Sequence, residues 1–397
     1  MSAGESEAAM PGDSIAEVAA AVGLHEGRHG VEEVLRHLAR RERAGNRALS
    51  RLTGLPVPVV AAVCAELRFA GLLAPERPAR LSSVGRELTQ RLGWAKTADC
   101  ACPTCGGVGI ALPAALAALR ADLEVALRDA PPADALLNQA HCTVESKLRR
   151  FAYLVDIGAL SGRSVLLLGD DDFLALALPL ATRTWGCPPP RRLAVLDVDP
   201  AVVGFSRRAA ARHGFEVELL THDLRRPLPA DLVGAFDTVF TDPPYTLAGA
   251  ELFLSRAATA LRPGLGGQVL LCFGPKPPHE TTALQRLITG MGFAVHRLVR
   301  NFNEYLGAGV LSGASHLYHL VGGSGVAPTV SGDFEGALYT GDLRRAGRSY
   351  HCQACAARLL VGAGERWATI RDLQRQGCPR CGGSVFSPGR RTPRSRH

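Results

Sequence analysis

The sequence predicts an α/β protein: a mostly parallel, Rossmann-like sheet in the middle of the chain, a helical domain before it and a small cysteine-clasped unit after it. Three observations carry this. Strand-like and helix-like runs alternate from about residue 145 to 322, the pattern of repeated βαβ units. Acidic residues close those strand-like runs at Asp170, Asp171 and Asp172, at Asp197, at Asp223 and at Asp242. Near the C-terminus, Cys352, Cys355, Cys378 and Cys381 spell C-x2-C-x22-C-x2-C.

Bulk properties narrow the class. At 397 residues and 47% hydrophobic the chain has material for two or three domains. No apolar run approaches the roughly 20 residues of a membrane helix. The start, "MSAGESEAAMPGDS", is acidic and small rather than a basic segment followed by an apolar one. The expectation is a cytoplasmic protein with no membrane partner. A net charge of +8, part of it in the tail "GRRTPRSRH", is a mild excess for a chain of this length. It allows a nucleic-acid partner without favouring one. The 11 cysteines fall largely in C-x-x-C pairs, which points to metal rather than disulfides.

Taken in order, residues 14–95 read as a winged-helix-like domain. "NRALSRLTGLPVPVVAAVCAELRFAGLL" is helix, turn and helix, and "RPARLSSVGREL" suits a β-wing entering a further helix. The second helix has few groups able to read bases, so docking or dimerisation is the preferred role over DNA recognition. Residues 96–144 form a linker carrying Cys102 and Cys105, a C-x-x-C with Cys100 beside it. That is half of a zinc site, and His141 and Cys142 are candidates for the other half beside the C-terminal cluster; a plain turn fits equally.

The catalytic domain spans 145–330. Its strands are "SVLLLGD", "RLAVLDVDP", "EVELLTHDL", "FDTVFTDPPYT" and "GQVLLCFGP", closed by an antiparallel pair, "FAVHRLVRNF" and "SHLYHLVGG". This is the strand order of methyltransferase-type sheets, which bind ligands at the carboxyl ends of their strands. Residues 348–388 form a zinc ribbon whose four cysteines fill every position of a structural Zn2+, and 389–397 are a basic tail.

The acidic strand ends suggest the chemistry. Asp197, ending the second strand, suits the two hydroxyls of an adenosyl ribose; Asp199 competes for that role but reads better as a helix N-cap before "PAVV". Asp223 suits the adenine amino group, with His222 and Leu224 bordering the ring. After the first strand, where a methionine-bearing cofactor meets G-x-G, only Gly169 remains, and three aspartates follow. They would repel an α-carboxylate and attract a donor that has lost it, decarboxylated S-adenosylmethionine. One aspartate could serve as a helix cap, but three are too many. "TDPPYT" resembles the motif of enzymes that modify nitrogens: Asp242 and the prolines Pro243 and Pro244 hold the amine, and Tyr245 flanks the cation. An aspartate must also take a proton before the nitrogen can attack. His213, His296, His316 and His319 read as structural, and Lys276 as a residue of the crevice rim.

G-D-D-D after the first strand together with D-P-P-Y-T after the fourth resembles the branched-chain polyamine synthase family, N4-bis(aminopropyl)spermidine synthase. The resemblance runs through "TVESKLRRFAYLVDIGALSGRSVLLLGDDD" and covers about residues 14–345. It implies an aminopropyltransferase that moves aminopropyl groups from decarboxylated S-adenosylmethionine to the secondary amine of spermidine or a related polyamine, releasing methylthioadenosine. It also implies that an aspartate among Asp170, Asp171 and Asp172 is central; Asp172 is preferred as the base, then Asp171. Glu145, in "TVES", would help hold the polyamine or cap its helix. The ribbon and tail depart from the family and leave open whether the acceptor is a free polyamine. Competing readings are an S-adenosylmethionine-dependent N-methyltransferase of RNA or DNA and a non-catalytic DNA-binding regulator sensing polyamine. A homodimer is compatible with all of them.

Overall fold

The computed structural model of the protein describes residues 11–95, 110–264, 266–306, 313–340, 342, 348–361, 366–367 and 370–388. The pair Cys102 and Cys105, with Cys100, and the basic tail 389–397 lie outside the described residues. The chain divides into two units: a larger one running to Pro132 and then from Ala140 to Phe334, and a smaller one of Ala133–Gln139 with the chain from Glu335 onward.

The larger unit begins with five helices, α1 (Pro11–Val22), α2 (Gly27–Ala39), α3 (Asn46–Thr53), α4 (Val57–Phe69) and α5 (Ser83–Arg91). Val31, Leu35, Leu49, Val60, Val63 and Leu67 are fully buried among them, the inward stripes of helical spacing. The α3–α4 pair turns through 108°. Isolated antiparallel bridges pair Ala44 with Ala79 and Leu73 with Leu81. The α3–α4 turn packs on the body of the same unit: Arg51 pairs with Glu304 at 3.4 Å and its carbonyl accepts from Asn301 Nδ2.

Residues 96–144, expected as a linker, contain two short helices, α6 (Ala114–Ala118) and α7 (Arg120–Ala126). Their Leu116, Leu119 and Leu123 enter the same core as Val165 and Leu167, so α6 and α7 pack into the larger unit. Helix α8 (Val144–Asp156) follows, N-capped by the Thr143 side chain.

The sheet then forms as the sequence patterning predicts. Its strands are β1 (Ser164–Leu168), β2 (Arg192–Asp197), β3 (Glu218–Thr221), β4 (Thr238–Thr241), β5 (Gln268–Phe273), β6 (Phe293–Glu304) and β7 (Ala314–Gly322), in the order β3-β2-β1-β4-β5-β7-β6. The first five are parallel, and β7 inserts antiparallel between β5 and β6. Helices α9 (Leu174–Trp185), α10 (Pro200–His213), α11 (Leu247–Ala260) and α12 (Pro278–Gly290) cover the faces. All five residues of β1 are buried, which is why "SVLLL" is continuously apolar where an open-faced strand would alternate. Strand order reverses at β1, with β2 on one side and β4 on the other. A crevice therefore opens beyond the carboxyl ends of β1 and β4.

In the smaller unit, β8 (Arg348–Cys352), β9 (Arg358–Val361) and β10 (Phe386–Pro388) form an antiparallel sheet, β10-β8-β9, beside α13 (Ile370–Gln376). Val361, Trp367 and Leu373 make its small core. Among the described residues, no single helix is long and apolar enough to cross a membrane.

Candidate active site

The three aspartates after β1 do three different jobs. Gly169 sits at φ +76° and allows the chain to turn away from the strand. Asp170 is 2% exposed, and its carboxylate accepts from the amides of Leu174 at 2.6 Å and Ala175 at 3.0 Å. It therefore caps α9, while burial raises its carboxyl well above the usual range. Asp171 keeps partial exposure, and its carboxylate accepts from the Ala140 amide at 3.0 Å. Burial, and then the charges of Asp172, Asp242 and Asp197, raise its carboxyl well above the usual range. Asp172 is buried and clamped: Arg150 Nη1 lies at 2.5 Å, Lys147 Nζ at 3.7 Å, and the Cys142 amide donates to it. Burial alone would raise its pKa, but Arg150, Lys147 and that amide bring it to about 2.

After this triplet the backbone is strained. Phe173, a bulky residue, adopts φ +54° and ψ +40°, which costs on the order of 1–3 kcal/mol. Its ring is held edge-on by Phe205 at 4.9 Å and His141 at 5.3 Å between centroids.

Asp242, at the end of β4, faces the same cations from the other side of the crevice. Arg150 Nη2 donates to it at 2.9 Å, Tyr305 Oη at 2.5 Å and Tyr245 Oη at 3.0 Å. Burial pushes its pKa up to about 6, with Arg150 opposing and Asp172 reinforcing the rise. Tyr245 packs against Phe273 at 5.3 Å and lies over Gly274, where a Cβ would come within 2.5 Å of the ring. Glycine after β5 is thus required by the aromatic residue after β4. Pro243 and Pro244 are buried in the turn, and the Pro244 carbonyl accepts from Thr246 at 2.7 Å.

Arg150 joins the two motifs. It is 1% exposed and also donates to Asn303 Oδ1 at 2.8 Å and to Tyr305 Oη at 3.3 Å. No motif in the sequence marks it. The available signal is helical: Lys147, Arg150 and Leu154 share the buried face of α8 with Ser146 and Tyr153, and two cations on an inward stripe require anionic partners. Asn303, in β6, and Tyr305, just after it, carry no such signal. The carboxylates that converge here are thus joined in part by resident cations, and only the remaining charge is offered to a ligand. Asp172 stabilises the fold above about pH 4 and loses that as pH falls toward 2. Asp242 runs the other way, its raised pKa weakening the fold as pH climbs from about 4 to 6.

The remaining predicted residues spread along the crevice and beyond it. Asp197 is 5% exposed, and its two oxygens accept from the amides of Asp170 at 2.7 Å and Asp199 at 2.8 Å. Asp199 caps α10 through the Ala201 amide, as expected. Asp223 turns to Arg225, whose guanidinium approaches at 2.8 Å, so it is already charge-paired. Leu224 is buried, and its carbonyl accepts from Arg256. Glu145 pairs with Arg120 at 2.7 Å at the exposed start of α8; the cap there is Thr143, so the capping role expected of Glu145 falls to its neighbour. Cys142 is buried beside Lys147, with its thiol pushed up to about 12 by burial, an environment that disfavours a metal-binding thiolate. Lys276 pairs with Glu280 after β5. His319 bonds Gln268 and Tyr153, and His316 accepts from the Asn301 amide, both structural contacts.

In the smaller unit, the Sγ atoms of Cys352, Cys355, Cys378 and Cys381 all lie within 4.8 Å of one another. A zinc tetrathiolate with bonds near 2.3 Å has sulfur edges of about 3.8 Å. The pairs Cys352–Cys381 at 3.5 Å and Cys355–Cys378 at 3.6 Å fit that size.

Residues 119–322 match the family described as the branched-chain polyamine synthase A C-terminal domain. The chain belongs to the branched-chain polyamine synthase family. An uncharacterized protein of Methanocaldococcus jannaschii is 32% identical over 373 residues, 93% of this chain and 90% of its own. The same organism has an N(4)-bis(aminopropyl)spermidine synthase, 29% identical over 260 residues, 64% of this chain and 71% of its own. The crystal structure of the branched-chain polyamine synthase of Thermus thermophilus, in complex with N4-aminopropylspermidine and 5'-methylthioadenosine, superposes with a TM-score of 0.67 at 28% identity. It covers 84% of this chain and 99% of its own.

Proposed function

We propose that this synthase-family chain is an aminopropyltransferase. It takes aminopropyl groups from decarboxylated S-adenosylmethionine and adds them to the secondary amine of spermidine or a related polyamine, giving a branched polyamine and methylthioadenosine. The observation that carries the reading is the G-D-D-D crevice itself: a carboxylate wall where an α-carboxylate would be repelled, in a chain similar to a synthase solved with methylthioadenosine and an aminopropylated spermidine.

In the reaction, the acceptor nitrogen attacks the carbon beside the sulfonium, and the C–S bonding pair returns to sulfur as methylthioadenosine leaves. The proton of the attacking amine passes to a carboxylate. The base assigned is Asp171. Asp170 is committed to the α9 amides and Asp172 to Arg150, and a carboxylate held near pKa 2 is a poor proton acceptor. This reverses the preference for Asp172 drawn from the sequence, because the sequence does not reveal the Arg150 clamp. Asp242, with Tyr245 and Tyr305, orients the amine; Pro243 and Pro244 shape that turn. Asp197 and Gly169 hold the ribose and methionine-derived end of the donor, and Leu224 borders the adenine with Asp223 at the rim. Aligning amine, carbon and sulfur supplies the rest of the acceleration.

The four cysteines hold a structural zinc, which leaves no open coordination position for chemistry. The N-terminal helices are read as winged-helix-like, with their turn used for docking on the body, and the protein as cytoplasmic. The N-methyltransferase alternative is not favoured by these relatives. The test is direct: the protein is mixed with spermidine and either decarboxylated or intact S-adenosylmethionine, and products are read by mass spectrometry. Aminopropyl adducts with stoichiometric methylthioadenosine, only with the decarboxylated donor, are expected. Methylation of RNA or DNA without polyamine product would overturn the proposal.

A further inference from the structure

We propose that the C-terminal unit is a nucleic-acid-binding module that docks this enzyme on RNA or DNA. The first ground is where the charge lies. Residues 335–397 contain 12 arginines and four acidic residues, whereas the 334 residues before them contain 33 basic and 33 acidic ones. The whole formal excess of +8 therefore sits in the last 63 residues. A zinc ion held by four thiolates removes two of those charges and leaves the excess strongly positive.

The second ground is how that charge is displayed. Trp367 is 5% exposed and Leu373 fully buried, so the unit's tryptophan and core leucine are turned inward, and the exposed apolar side chains beside them are the aliphatic Leu360 and Val385. Arg358 on β9, Arg366, Arg375 on α13 and Arg380 in the second cysteine knuckle are all exposed. Helix α13 has only seven residues, too few for an amphipathic membrane-surface helix. Exposed guanidinium groups in excess over acids suit phosphates, which they bind in a bidentate fork.

The test uses the full-length, zinc-loaded protein, a short labelled RNA hairpin and fluorescence anisotropy across about 50–200 mM salt. Binding should weaken with a log–log slope of about −0.9 for each phosphate neutralised on a duplex. R358Q/R375Q/R380Q should lower the slope by about one for each contacting arginine and weaken binding at least tenfold. The tail variant R390Q/R391Q/R394Q/R396Q should do the same without touching the cysteine knuckles. Both should retain zinc and the unsubstituted rate of aminopropyl transfer to free spermidine. Absence of binding at the lowest salt, binding unaffected by both variants, or equal affinity for polyglutamate or phosphatidylserine vesicles overturns the proposal. Because spermidine turnover is measured separately, failure here is distinguishable from failure of the enzymatic reading.

Discussion

Arginine is used in opposite ways in the two parts of this molecule. In the crevice, Arg150 is 1% exposed and satisfied by Asp172, Asp242, Asn303 and Tyr305, so its charge is cancelled within the fold. In the C-terminal unit, Arg358, Arg366, Arg375 and Arg380 are exposed, and over residues 335–397 arginines outnumber acids three to one. A buried cation without partners is prohibitively costly, so where arginine is buried it reports an internal network. An exposed, unbalanced set costs little and produces an outward field. The two regions therefore make separate predictions, and each can be disturbed without the other.

The largest effect should come from Asp171→Asn, which should lower kcat by about 10²–10⁴-fold with little change in thermal stability. Asp170→Asn should instead lower stability through the α9 cap, so kcat and melting measured together would show whether the three aspartates differ as their contacts say. Arg150→Met should cost about 3–5 kcal/mol by leaving two carboxylates buried without a cation. In the better-folded Arg150→Lys, Asp172 and Asp242 should titrate at higher pH. Both the base and Asp242 must shed protons for activity, so kcat/KM should fall as pH drops through about 6 in the parent. That acid limb should move upward in the lysine variant, and an unmoved limb would separate Arg150 from the reaction. Zinc chelation or Cys378→Ser should unfold the C-terminal unit, seen as released zinc and a lost thermal transition, while spermidine turnover persists. The smallest effect should be Asp199→Ala, about 1 kcal/mol from the α10 cap with kcat unchanged.

Much of this was legible in sequence because it is local. "SVLLLGDDD" announces a buried parallel strand and an acidic turn, "TDPPYT" a nitrogen-handling turn, and paired C-x-x-C knuckles a four-sulfur cluster. Each signal lies within a few residues or at a fixed spacing. The function of each aspartate was not legible. Which of three consecutive carboxylates is free depends on Arg150, 22 residues upstream of Asp172, and on Asn303 and Tyr305, in and just after a strand far later in the chain. Likewise Asp223 was expected at an adenine, and its position beside Arg225 follows from how the turn after β3 folds back.

Residue order by itself determined the sheet, its acidic edge, the cysteine cluster and the placement of all net charge in the final segment, because patterning and spacing act along the chain. Tertiary structure decided which acid caps a helix, which is clamped by a buried guanidinium and which remains available to accept a proton. Those roles depend on distances of a few ångströms between groups far apart in the chain, and on the loss of water that makes such distances matter.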